Sequence, residues 1–305
     1  METPFVSVII PVQNDRTRLQ TCLQALYYQT YPYHCYEVIV VDNNSTEDIP
    51  SIVQQFANVQ YTTEAKPGNN AARNRGLSLA RGECIAFTDA DCIPDREWLA
   101  EGMRSLLANP DAGIIGGAIQ FFCQGNRPTP VEYADSVCYL QQAVYVQRDR
   151  YAAGANLFTR RSVIQQVGRF EERLLNLGDK EWGQRVAAAG FEVRYAEGAI
   201  VHHPARVTLS ALLAKARRQT QAQITLGDLR GERLPTVSFL PMGWQFFCNV
   251  ARDEQLPTLK EKLLFVWIMH RVKWTIVWER SQTTTLPSPA PKTLPKSVEV
   301  RSYWQ

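Results

Sequence analysis

The sequence carries no G-x-G-x-x-G, and the polar loop after its first apolar run, Gln13-Asn14-Asp15, contains no glycine. A pyrophosphate gripped by backbone amides in the dinucleotide manner is therefore not expected. No uncharged run reaches the roughly 18–20 residues that a membrane span needs. Charge bias is small: 33 basic against 30 acidic side chains, a formal +3. That is too weak to argue for nucleic acid as a partner. The seven cysteines stand at 22, 35, 84, 92, 123, 138 and 248. Their number is odd, and no two have the close spacing of a metal or redox pair, so a reducing, cytoplasmic compartment is expected. The start, M-E-T-P-F-V-S-V-I-I-P, has neither a basic region nor a small-residue cleavage site. It reads as a first strand rather than a signal peptide.

What is present is an ordinary globular composition, 45% hydrophobic and 21% charged, over 305 residues. That length supports one large or two ordinary domains. Phe5–Val12 has almost no polar residue, as a parallel strand covered on both faces requires. Pro11 closes it. Apolar period predicts further strands at Tyr36–Val41, Val59–Thr62, Cys84–Thr88 and Ala112–Phe121. Helices are predicted between them at Arg16–Tyr28, Glu47–Phe56, Asn69–Ala80 and Asp95–Leu107. The rhythm is that of an α/β fold with a mostly parallel, doubly wound sheet, flanking helices and right-handed crossovers. Val131–Gln147 has mixed period and supports no assignment. Then come a strand at Asn156–Thr159, a helix from Leu177 to about Gly190, and two short extended pieces, Phe191–Tyr195 and Ala199–His202. Helical period returns at Leu209–Ile224 and Leu259–Arg280. Thr283–Lys296 holds four prolines among threonines and serines, the composition of a disordered tail. The expected organisation is a sheet domain over 1–210, a helical extension over 211–282 and the tail over 283–305.

The chemistry gathers at Ile85–Pro94, I-A-F-T-D-A-D-C-I-P. Asp89 and Asp91 stand just past the carboxyl end of a buried strand, where open α/β sheets bind ligands. Two carboxylates at i and i+2 can share one divalent cation, which can hold a diphosphate on its other side. A polar turn closing the strand is the plainer alternative. Asp42, at the end of the second strand, can accept from a base or ribose donor, or it can cap the turn into Ser45–Asp48. Lys66 lies in a loop before a helix and is a candidate phosphate partner. Arg73, Asn74 and Arg75 are successive on that helix, so they cannot share a face. At least one points toward the strand ends, and Arg73 is grouped with the donor-binding set. Gly154 is small enough to leave room for a substrate, or simply for tight packing. His202 and His203 are adjacent in an extended segment and face opposite sides. At most one belongs in a site, and His203 is the candidate metal ligand.

Six stretches then resemble, in order, the inverting glycosyltransferases of family 2, which have the GT-A fold. They are V-S-V-I-I-P-V-Q-N-D (6–15), V-I-V-V-D-N-N-S-T-E-D (38–48), K-P-G-N-N-A-A-R-N-R-G (66–76), I-A-F-T-D-A-D-C-I-P (85–94), G-A-N-L-F-T-R (154–160) and G-D-K-E-W-G-Q-R (178–185). The resemblance covers about residues 1–210 and is weak beyond them. It implies a nucleoside-diphosphate sugar donor, a glycan or lipid-linked acceptor and a divalent metal, Mg²⁺ or Mn²⁺. It places the nucleoside at Pro11, Val12, Asn14 and Asp42, and the D-x-D pair Asp89 and Asp91 near ribose and metal. Asp179 would be the catalytic base, with Arg185 six residues on. Gly178 stands where the family commonly has glutamate, and Asn43 where it commonly has a second aspartate. Trp182 is expected either as a platform for the acceptor or as core.

Two other functions are open to the sequence. A sugar-nucleotide-forming nucleotidyltransferase also uses an α/β sheet and a metal, but Pro11–Arg16 is not its glycine-rich basic loop. A catalytically inactive nucleotide- or glycan-binding module is the third class. Finally, Trp267, Trp274 and Trp278 share one face of the Leu259–Arg280 helix, with Lys262, Arg271, Lys273 and Arg280 nearby. Tryptophan with basic residues suits a peripheral contact with the inner face of the plasma membrane; docking on protein is the alternative.

Overall fold

The apolar runs of the first half become fully buried strands because each is covered on both faces. In the computed structural model, which describes residues 3–232, 234 and 242–282, β1 (Val6–Val12), β2 (Tyr36–Asp42) and β4 (Cys84–Thr88) bury every residue. They join β3 (Val59–Thr63), β5 (Ile93–Pro94), β6 (Ala112–Phe122), β7 (Asn156–Arg160) and β8 (Glu192–Pro204) in one sheet of order β3-β2-β1-β4-β7-β6-β8-β5. The half β3-β2-β1-β4 is parallel. Beyond it β7 runs antiparallel to β4, and β6 antiparallel to β7. The sheet is thus mixed, and β2 and β4, whose ends carry Asp42 and lead into Asp89, lie in the parallel half.

Several predicted boundaries shift for local reasons. Pro11 does not stop β1, which continues to Val12. The β4 ladder covers only Val6–Ile9, so a residue without an N–H is tolerated beyond it. The predicted Glu47–Phe56 helix shrinks to Pro50–Val53, because residues before Pro50 are engaged in turns. The helix expected from Asp95 begins at Trp98, since Ile93–Pro94 pairs with Val201 and His202 instead. The two extended pieces after Phe191 are one strand, β8. Its Gly198 permits close approach: a Cβ there would lie 2.7 Å from Glu101 Oε2.

By its internal contacts the chain divides into two units. The first comprises 1–121 and 140–204 and contains the sheet, with two apolar clusters on its faces. The second comprises 122–139 and the chain from Ala205 onward. It is helical among its described residues, with helices Pro130–Cys138, Leu209–Arg230, Trp244–Arg252 and Leu259–Ser281. Two of these begin in reciprocal capping boxes, Thr129 with Glu132 and Thr258 with Glu261. Inside this unit Lys215 Nζ pairs with the fully buried Asp135 at 2.7 Å. Among the described residues, no helix is long and apolar enough to cross a membrane. The predicted disordered tail lies outside the described residues.

Candidate active site

β4 delivers the acidic pair. Thr88 is buried, and its hydroxyl donates to Ala155 O at 3.0 Å, fixing the strand end. Asp89 and Asp91 follow in the turn beyond it. Of the three successive polar residues on helix Asn69–Leu79, only Arg73 turns to the site. It is buried, and its Nη2 donates to Asp89 Oδ1 at 3.0 Å. Asn74 holds Phe170 O at 2.9 Å and Glu172 Oε1 at 2.8 Å, and Arg75 reaches Thr62 on the exposed side. The Arg73 Nε is buried with no hydrogen-bond partner among the described residues. Burial pushes the Asp89 carboxyl up from its ordinary range; Arg73 opposes this, and Asp91 adds to it.

Asp179 sits in the first turn of helix Gly178–Ala188. Leu177 holds the N-cap position in a left-handed conformation, φ 60°. One Asp179 oxygen accepts from Gly154 N–H at 2.9 Å, and the other from Lys180 N–H at 2.8 Å. Gly154 also meets Arg73, since a Cβ on it would lie 2.4 Å from the guanidinium carbon. The space at Gly154 is therefore filled by Arg73, which corrects its assignment as room for the acceptor. Asp179, Gly154, Arg73 and Asp89 form one connected constellation from four separate segments. Trp182 is a second correction. It is fully buried, its ring tilted against Phe170 at 5.2 Å, and its Nε1 donates to Gly168 O at 2.9 Å. No ring face is open to a sugar, so it is a core residue.

The expected nucleoside side is a network of turns. Asp42 is buried and accepts from Ser45 N–H at 2.9 Å and from Tyr61 O–H at 2.9 Å. Val12 O accepts from Asn43 N–H, 2.8 Å. Asn14, at φ 51°, accepts from Thr46 N–H at 2.7 Å through its side chain. Lys66 pairs with Glu172 at 2.6 Å. Two contributors escaped sequence reading. Arg18 Nη1 lies 4.0 Å from Asp91 Oδ2, and its place in the first turn after the polar loop was the available signal. Asn43 donates to Glu64 O and Lys66 O and accepts from Gly68 N–H, so it holds the loop that leads into Arg73's helix.

The two histidines do face opposite ways. His202 Nε2 meets Asp95 at 2.8 Å. His203 is buried, with Nε2 3.6 Å from Asp91 Oδ1. Its Nδ1 lies 2.9 Å from Pro204 O, an acceptor that a protonated Nδ1 satisfies, and its Nε2 is directed at Asp91. Among the described residues, no three potential ligands form a complete cation site. The residues nevertheless fit one side of a site. A carboxylate oxygen suits Mg²⁺ or Mn²⁺, and an oriented imidazole nitrogen beside it suits Mn²⁺ better than Mg²⁺; substrate phosphates and water commonly fill the other positions of either ion. Cysteine chemistry does not fit: burial drives the nearby Cys22 and Cys92 thiols up, away from the thiolate.

The family model described as glycosyl transferase family 2 matches residues 7–168. Glycosyltransferase AglE of Haloferax volcanii is 37% identical over 226 residues, covering 72% of this chain and 73% of that protein. Chondroitin synthase of Escherichia coli is 26% identical over 238 residues, covering 65% of this chain but 34% of that protein. Among solved structures, the mannosyltransferase PcManGT of Pyrobaculum calidifontis, in complex with GDP-Man and Mn²⁺, superposes with a TM-score of 0.57 at 19% identity. That match covers 92% of this chain and 74% of that one. TarS of S. aureus gives 0.55 at 16% identity, over 91% and 55% of the two chains. With the family model spanning over half the sequence and the sheet laid out as in these structures, the chain belongs to glycosyl transferase family 2 and has its GT-A fold.

Proposed function

We propose that the chain moves a sugar from a nucleoside-diphosphate sugar to an acceptor hydroxyl with inversion, using Asp179 as general base. The observation that carries this is the Asp179–Gly154–Arg73–Asp89 constellation. It gathers a carboxylate for proton abstraction and the strand-end Asp89 in one unit. Asp179 accepts the proton of the acceptor hydroxyl. The hydroxyl oxygen forms its bond to the anomeric carbon on the face opposite the diphosphate. The glycosidic C–O bond to the diphosphate breaks, and its electron pair leaves with the phosphate. One displacement inverts the carbon.

Asp91 and His203 would hold a divalent cation, with Asp89 beside them. When bound, that cation supplies positive charge against the leaving diphosphate. Arg73 locks Asp89 in place, and Gly154 N–H orients the Asp179 carboxylate. Asp42 and the first loop would hold the nucleoside, and Lys66 a phosphate. The acceptor would be a glycan or a lipid-linked sugar.

The test is a panel of nucleoside-diphosphate sugars, with transfer and donor hydrolysis measured for the wild type and Asp179→Asn. The variant is expected to bind donor normally and to lose about 10²–10⁴-fold in transfer. Near-wild-type turnover would mean that the base lies elsewhere. Release of pyrophosphate from a nucleoside triphosphate and a sugar phosphate would instead identify a nucleotidyltransferase.

A further inference from the structure

The helix Leu259–Ser281 is apolar on both sides. Phe265, Ile268, Met269, Val272 and Val277 are buried within the second unit. On the other side, Leu263 is 61% exposed, Trp267 49%, Trp274 53% and Trp278 64%. Their spacings of four, seven and four put them on one face. A helix of a water-facing surface shows polar residues there. Three large aromatics on one exposed face carry an energetic cost in water that a covering medium removes.

The charges on this face are basic. The Arg271 guanidinium lies 5.8 Å from the Trp267 ring centre. Arg271 and Arg217 line the same shallow groove as Trp274, Thr275 and Trp278. Arg217 also has Glu279 at 3.7 Å, the one carboxylate among the described residues within ion-pair reach of these two arginines. Aromatic rings with guanidinium groups beside them match the headgroup layer of an anionic bilayer. There the rings sit between water and acyl chain, and each basic side chain meets a lipid phosphate.

We propose that this face lies on the surface of an anionic phospholipid bilayer, with Trp267, Trp274 and Trp278 at headgroup depth. The helix would lie along the surface, since it is not apolar enough to cross. A second copy of the chain is a poorer occupant. Arg271 is near the helix centre, so a parallel in-register pair, or an antiparallel pair about that centre, sets one Arg271 against the other. Such like-charge apposition is costly when water is excluded. The inference stands independently of the transfer reaction.

The experiment is co-sedimentation of the full chain with phosphatidylcholine vesicles, with and without phosphatidylserine, read alongside tryptophan emission and quenching by brominated lipid. Binding is expected with phosphatidylserine, to fall with salt, and to bring a blue shift with quenching. Trp267→Ser/Trp278→Ser should bind about tenfold more weakly or worse, and so should Arg271→Glu. Circular dichroism confirms that each variant is folded. These positions are exposed, and either variant alone suffices if the other fails to fold. The proposal is overturned if the wild type stays in the supernatant with both lipids, or if folded variants bind as the wild type does. It is also overturned if sedimentation velocity finds a dimer that the tryptophan variant dissociates while vesicles have no effect.

Discussion

At the scale of single residues, the site is built from side chains whose size matters as much as their charge. Gly154 has an ordinary backbone conformation, so alanine there is not strained by its dihedrals. The obstacle is the buried Arg73 guanidinium, 2.4 Å from where the Cβ would stand. Gly154→Ala should push Arg73 off Asp89 and misplace the amide that binds Asp179. Overpacking of this kind costs about 1–3 kcal/mol. Urea denaturation and nucleotide titration of the variant check this: both stability and donor affinity should fall. If neither moves, Arg73 has room to swing aside. Charge alone does not mark a functional carboxylate here. Glu37 is buried, yet it accepts from Ser7, Gln60, and the backbone and side chain of Arg81, a fully used structural group. Asp89, by contrast, is held by one arginine.

At the scale of elements, Asn156 ties the antiparallel half of the sheet to the helix behind it. Its Oδ1 accepts from Trp98 Nε1 at 2.8 Å, and its Nδ2 lies 2.8 Å from both Ala118 O and Ala199 O. The residue thus joins β6, β7, β8 and helix Trp98–Ala108 at a point with no access to water. Leucine has similar volume but satisfies none of these three partners. Each unpaired buried group costs about 1–3 kcal/mol. Asn156→Leu should therefore lose about 3 kcal/mol or more in chemical denaturation, with soluble yield falling in step. A loss below about 1 kcal/mol would mean that water enters the clamp. Gly117 belongs to the same device: a Cβ there would lie 2.4 Å from the Asn156 amide.

At the scale of the whole molecule, the sheet-bearing unit should gain stability from donor and cation together. A ligand at about 100 times its Kd stabilises by about 2.7 kcal/mol. Thermal unfolding with nucleoside diphosphate and Mn²⁺ should therefore shift upward, and more than with either alone. Asp91→Asn should abolish the synergy while leaving the unliganded transition in place. An undiminished shift in that variant would place the cation away from Asp91.

The order of strands and helices in the first half was legible in the sequence because apolar period is a local property, set by which face each residue must bury. The D-x-D at a strand end was legible for the same reason, and so was the opposite facing of His202 and His203. Tertiary structure alone decided what each of these meets. In the sequence Gly154 was open to tight packing or substrate room, and Trp182 to core or platform. Their roles followed only once Arg73 filled the space beside one and Phe170 packed on the other. The approach of His203 to Asp91, the joining of two short pieces into β8, and the antiparallel direction of β7 all depend on long-range pairing. Pairing of that kind is fixed by which surfaces fit when the chain returns, and no window of neighbouring residues contains that information.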